Sequence, residues 1–214
     1  MRRTCQILGL LALAGLWLGP LPEMTRHSFA AHMALHMGVV AVAAPLLAVG
    51  FAGGPLDPVR RRPGWFPAIP LSIVELVVVW AWHAPALHHA ARNLPGGFVA
   101  EQLSFFAAGL LVWFASLSGP RAAPSERAGA GIAALLLTSM HMTLLGALLA
   151  LTPRALYSHA AHDHGESNAF TSLDDQHLGG AIMLVVGGIS YLAGGLALTT
   201  RLVRQRSAQT EARA

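Results

Sequence analysis

Six apolar stretches of roughly twenty residues each, separated by short segments that carry nearly all the charge, leave this chain few folds to choose from. A stretch of that length and polarity closes its backbone hydrogen bonds within itself, so the chain reads as all-α, a polytopic transmembrane helix bundle. Charged residues make up 11% of the 214, well below the ~25% usual in soluble domains. The stretches run from about Cys5 to Leu21, Phe29 to Val49, Phe66 to Leu87, Phe98 to Leu117, Ala128 to Leu151 and His177 to Thr200. The first follows Arg2-Arg3 and continues through Trp17 and Leu18, past a small-residue site at Ala12-Leu13-Ala14, so it reads as an uncleaved signal anchor. Pro20-Leu21-Pro22 then starts a short loop. Residues 1–200 are expected to form one integral membrane domain, and 201–214 a disordered cytoplasmic tail.

The basic residues are fourteen arginines. With six spans and the N-terminus inside, eleven fall on one side, and Arg26, Arg92 and Arg154 on the other. The positive-inside rule therefore places both termini in the cytoplasm, as in a multi-pass protein of a bacterial inner membrane. Arginines flanking apolar segments account for the basic pI without nucleic acid; the surroundings to expect are membrane lipid. The same topology, fixed without reference to histidine, puts all eleven histidines in the outer half or outside. The single cysteine, Cys5, rules out an intrachain disulfide and a Cys-based metal motif. No nucleophile–base pattern, phosphate loop or dinucleotide fingerprint is present, and the chain is not expected to be an enzyme.

Chemistry concentrates in two places. His32 and His36 open the second span four residues apart, on one helix face, with Met33 and Met37 on the adjacent strip. Met140-His141-Met142 repeats the combination in the fifth span, with His141 about 15 Å below its outer end by helix rise. His83 ends the third span, His177 begins the sixth, and Asp175 precedes it as an acceptor that orients an imidazole. Imidazole and thioether together suit copper, the thioether favouring Cu(I). Methionines alone are more simply packing filler, but ionisable groups at membrane depth are costly and usually functional. The loop after the third span holds His88, His89 and Arg92, and the loop from Thr152 to Asp175 holds His159, His162, Asp163, His164 and Glu166, a set that collects metal or is merely polar. Three readings remain open on chemistry alone: copper bound at the outer face and handed on, haem b between histidines of different helices, and a copper permease. Same-face histidines argue against haem, and an inner half whose one ionisable group is Glu75 argues against transport.

The stretch His27-Ser-Phe-Ala-Ala-His32-Met-Ala-Leu-His36-Met, followed by Ala44-Pro-Leu-Leu, resembles the opening of the CtaG-type (caa3-type) cytochrome c oxidase assembly factors. Trp82-His83-Ala-Pro85-Ala-Leu, Leu144-Leu-Gly146-Ala-Leu-Leu and Asp175-Gln176-His-Leu-Gly-Gly180 match later family blocks in the same order. The resemblance implies a polytopic inner-membrane protein that helps copper reach the haem-copper oxidase. Its partners would be oxidase subunits and periplasmic copper chaperones. Two departures bear on the site: relatives often carry histidines where this chain has Phe98 and Gln102, so span four is left out of the metal set, and the family's Met-Trp pair is Met183-Leu184 here.

Overall fold

A computed structural model describes residues 1–118, 124–157 and 171–211, and every regular element among them is helical. Helix α1 spans Arg2–Leu18, α2 Phe29–Phe51, α3 Ala68–His83, α4 Pro85–Asn93, α5 Gly97–Leu117, α6 Pro124–Leu151 and α7 residues 172–211. Five helical segments are long and apolar enough to cross a membrane: Phe29–Phe51, Pro63–His83, Gly97–Leu117, Glu126–Leu151 and Ser172–Ala208. The expected first span, α1, has 17 residues. At 1.5 Å per residue that is about 26 Å, short of a ~30 Å hydrocarbon core.

Four local expectations are corrected. The third span stops at His83, because Ala84 precedes Pro85 and takes extended backbone, as residues before proline do. Pro85 then starts a new helix at its first turn, so His88, His89 and Arg92 lie on α4 and not in a loop. The segment from Arg201 to Glu211, expected as disordered tail, continues the last helix. It contains no glycine or proline and is rich in good helix formers, and a helix already nucleated in α7 extends through such residues at little cost. Leu21–Met24, expected as loop, makes one helical turn.

Small residues set how the helices pair. Gln6 donates from Nε2 to the Gly50 carbonyl at 2.9 Å, Gly9 lies against Leu47, and Gly38 against Leu16. Falling numbers against rising ones make α1 and α2 antiparallel, which brings Arg2 beside Phe51 and Ala52, whose carbonyls it caps. Glycines on both α6 and α7 do the same: a Cβ on Gly146 of α6 would stand 2.6 Å from the Leu184 backbone nitrogen, and one on Gly188 of α7 2.9 Å from Thr143. Two π-helical turns, Gly38–Ala43 in α2 and Met183–Gly187 in α7, interrupt the α-helical ladder. Near the first, the Val40 carbonyl accepts from Trp113 Nε1 at 3.0 Å and the Ala41 carbonyl from the Ser190 hydroxyl at 2.7 Å, so irregular backbone deep in the bundle keeps its partners.

The backbone contact at Gly146 predicts that Gly146→Ala lowers the melting temperature of the detergent-solubilised protein, at a cost of about 1–3 kcal/mol for forcing the helices apart. Gly15→Ala is the control: its Cβ meets nothing within 4 Å and should leave stability unchanged or slightly raised.

Candidate metal centre

The N-terminus of α2 is held from outside its own helix. Ser28 caps it, accepting the Ala31 N–H on its hydroxyl oxygen at 3.1 Å. Asp175, in the first turn of α7, accepts the Ser28 hydroxyl at 2.7 Å and the backbone N–H groups of Phe29 and Ala30. A carboxylate there meets both the free N–H groups and the positive end of the helix dipole. It fixes the turn from which His32 and His36 project, both fully buried. Asp175 thus orients the whole histidine-bearing helix; the expected contact to an imidazole is absent from its bonds among the described residues.

His83, the last residue of α3, donates from Nδ1 to the Val79 carbonyl at 2.6 Å. A carbonyl can only accept, so in the neutral ring the proton sits on Nδ1 and Nε2 carries the lone pair. Tyr157 covers the same end. Its hydroxyl donates to the His83 carbonyl, and its ring stacks on Phe29 at 4.3 Å and stands 4.5 Å from His88. Burial pushes the Tyr157 phenol well above its usual range, so it stays a donor.

The imidazoles form a file. Ring centroids are 5.2 Å apart for His88 and His32, 6.0 Å for His32 and His83, and 5.5 Å for His83 and His36. His141, on α6, lies within electrostatic reach of His36. Phe105 packs against His36 at 3.9 Å. Both nitrogens of His36 and of His141, and Nε2 of His32 and of His83, are buried without a hydrogen-bond partner. Buried polar atoms are rarely left so, and a ligand is one explanation. Met37 Sδ and the Cβ and Cγ of Met142, residues that follow His36 and His141 in the chain, converge on Gly187, whose missing side chain leaves them room. The remaining sequence candidates lie apart. Met33 packs against Gly179 in the helix seam, Met140 is 67% exposed, and His177 Nε2 donates to the Thr152 carbonyl at 2.9 Å. His159, His162 and His164 lie outside the described residues.

Four participants escaped the sequence reading. His88 and Arg92 enter on α4, Glu101 on α5, and Tyr157 follows α6. Single ligand atoms of His32, His88 and Glu101 lie within 4.8 Å of one another. Arg92 donates to both Glu101 oxygens, at 3.0 and 3.2 Å, and to His32 Nδ1 at 2.7 Å. The available signals were Pro85 as a helix start, which puts His88 and Arg92 four apart on one helix face, and an arginine nine residues before a glutamate inside an apolar run.

Eight residues before His83, about 12 Å along α3 by helix rise, Glu75 heads a second buried polar system. Tyr191 donates to it at 2.6 Å and Thr138 at 3.2 Å, and Ser72 and Thr138 share a bond of 3.0 Å. These donors are all oxygen.

A family model described as the cytochrome c oxidase caa3 assembly factor matches residues 1–205. No curated protein and no solved structure matches the chain.

Asp175→Ala should lower the melting temperature by several degrees, since it removes a carboxylate bonded to one hydroxyl and two backbone N–H groups, contacts worth about 1.5–3 kcal/mol each when one partner is charged. An unchanged melting temperature would remove the capping role assigned here.

Proposed function

This chain belongs to the cytochrome c oxidase caa3 assembly factor family, and from that premise we propose that it binds Cu(I) at the histidine end of the bundle and passes it to the oxidase. The observation that carries the reading is the file of buried imidazoles with unpartnered nitrogens; Met37 and Met142, next in sequence to His36 and His141, meet at Gly187. Nitrogen and sulfur donors in a water-poor setting suit a soft monovalent ion. His36, His83 and His141 are the core ligands, His32 stands at their outer edge, and Met37 and Met142 are exchange ligands on the inner side. Met33 is left as a packing neighbour of the site, and Met140, His177 and Asp175 as residues outside it.

Copper is cargo here. The chain's own residues keep the site dry, hold lone pairs ready and release the ion. The Val79 carbonyl, by fixing the His83 tautomer, leaves Nε2 free to coordinate. Neighbouring imidazoles offer successive positions, so an ion can shift without meeting water. The geometry supports the other readings less well. Bis-histidine haem needs two imidazoles on opposite sides of a macrocycle, whereas these rings pack on one another at tilts of 54° to 85°. A permease needs soft ligands through the whole crossing, whereas the polar groups beyond Met37 and Met142, around Glu75, are oxygen donors.

The assembly has a proposed orientation. The antiparallel pairing of α1 with α2 brings Arg2 to the end of the bundle that carries Arg60, Arg61 and Arg62. That end is cytoplasmic by the positive-inside rule, and the histidine end faces outward in a bacterial inner membrane. With α1 embedded alongside α2 the chain makes six passes, residues 1–200 act as one membrane domain, and both termini are inside. Oxidase subunits and periplasmic copper donors meet the outward face, and the role is non-catalytic. A reporter active only in the cytoplasm should work at the C-terminus, and one inserted near Asp163 should fail. Activity at Asp163 would invert the orientation.

Metal analysis of the purified protein under reducing conditions, with an optical spectrum, tests the copper reading directly. His36→Gln and His141→Gln keep polarity and approximate size but lose the ring nitrogen. Each should abolish oxidase maturation while the protein still accumulates in the membrane, and Met37→Leu should show a milder defect that added copper relieves. Wild-type oxidase levels in the His36→Gln, His141→Gln double variant would rule the site out.

A further inference from the structure

We propose that the Arg92 guanidinium is a stand-in cation, occupying an outer acceptance site made by His32, His88 and Glu101, and that an arriving Cu(I) ion displaces it. The inference rests on the copper reading above and adds where the ion is first taken up and what guards that point.

The three ligand atoms lie within 4.8 Å of one another, close enough to share one ion, and all three residues are buried. Arg92 already satisfies two of them. One N–H group bridges both Glu101 oxygens and a second meets His32 Nδ1. Because arginine can only donate, Nδ1 of His32 is the accepting nitrogen, so the lone pair a metal would use is the one that Arg92 covers. The bond also sets the neutral ring's proton on Nε2, which is buried and without a partner. In this resting arrangement His32 offers no free lone pair, while His83 Nε2, the next position inward, does. The outer position is therefore closed and the inner one open.

Charge explains why a guanidinium is used. Glu101 is fully buried, and a lone carboxylate at that depth is costly unless a cation accompanies it. Arg92 supplies one positive charge. Exchange for Cu(I) replaces one positive charge by another, so the buried total is unchanged. A divalent ion in the same place leaves one charge in excess. The site's selectivity for a monovalent ion then follows from the arginine it must replace, although imidazole and carboxylate alone would also suit zinc.

The guanidinium also has somewhere to go. Its side chain is 16% exposed and lines a cavity of about 510 Å³ at the histidine end, together with Glu23, Arg26, Gly96 and Phe98. On leaving Glu101 it can swing into that cavity without unfolding α4. The ion left behind faces His83 Nε2, then His36 and His141, then the thioethers. Softness of the ligands rises inward, which favours Cu(I) moving on and Arg92 closing behind it.

The test uses the full-length wild-type protein. Arginines are labelled with phenylglyoxal, with and without Cu(I) under reducing conditions, and adducts are located by mass spectrometry. Arg26, in the same cavity and already exposed, is the internal reference. Labelling of Arg92 should rise severalfold on loading with Cu(I) and stay at its resting level with Zn(II), while Arg26 changes with neither. Arg92→Lys keeps the charge but loses the planar fork that holds Glu101 and His32 through separate nitrogens, so it should speed Cu(I) uptake severalfold. Bound Cu(I) with unchanged or reduced Arg92 labelling overturns the exchange and leaves a purely structural ion pair. An equal rise with Zn(II) overturns the charge-matching. Wild-type protein that binds no Cu(I) overturns the copper reading, and the exchange with it.

Discussion

The histidine end of this bundle depends on one carboxylate. Asp175 sits at the start of α7 and receives the hydroxyl and N–H groups at the start of α2, residues nearly 150 positions away in the chain. The bonds align the two helix N-termini side by side. Once that registry is fixed, the small residues below complete it: Gly179 takes the side chains of Phe29 and Met33, and Gly187 those of Met37 and Met142. A helix start held this tightly is what allows His32 and His36 to lie wholly buried, one turn apart, without the chain fraying away from them. Tyr157 closes the remaining side by pinning the end of α3.

The apolar bundle buries two polar systems of different chemistry. At the histidine end are imidazoles, thioethers and one carboxylate neutralised by arginine. About two helical turns along α3 lies Glu75, held by Tyr191 and Thr138 and set between α3, α6 and α7. The second system has its donors accounted for and serves to lock three helices together. The first leaves several nitrogens unanswered. That contrast, within one protein and a similar environment, is why the imidazole file reads as a binding site and the Glu75 system as a structural one. The two π-helical turns, Gly38–Ala43 and Met183–Gly187, come close where Met37 lies against Gly187.

Much of this was legible in the chain. Length and polarity of the apolar runs gave helices close to those found. His32, His36, His83 and His141 were found because ionisable groups in apolar runs stand out against their surroundings. Residues that owe their place to a second helix were not found. His88 and Arg92 looked like loop polarity until Pro85 started a helix. Glu101 was not singled out, because its cation sits on another element. Asp175 was expected beside an imidazole, since a carboxylate next to His177 suggests that pairing; its partners lie on α2 instead. Span four, set aside because Phe98 and Gln102 stand where relatives carry histidines, places Glu101 beside Arg92 and His32.

Sequence by itself determined that the chain is helical and apolar enough for a membrane, and roughly where its five long apolar helices lie. Those properties follow from hydropathy and helical period, which are local. Tertiary structure alone decided which histidines meet, which methionines come together at Gly187, that an arginine bridges Glu101 and His32, and that a distant aspartate anchors the helix bearing two of the rings. Each of these depends on the rotation and depth of one helix against another, set by backbone contacts at glycines and by caps between helices. A single chain's residue pattern does not encode such pairings in any one place.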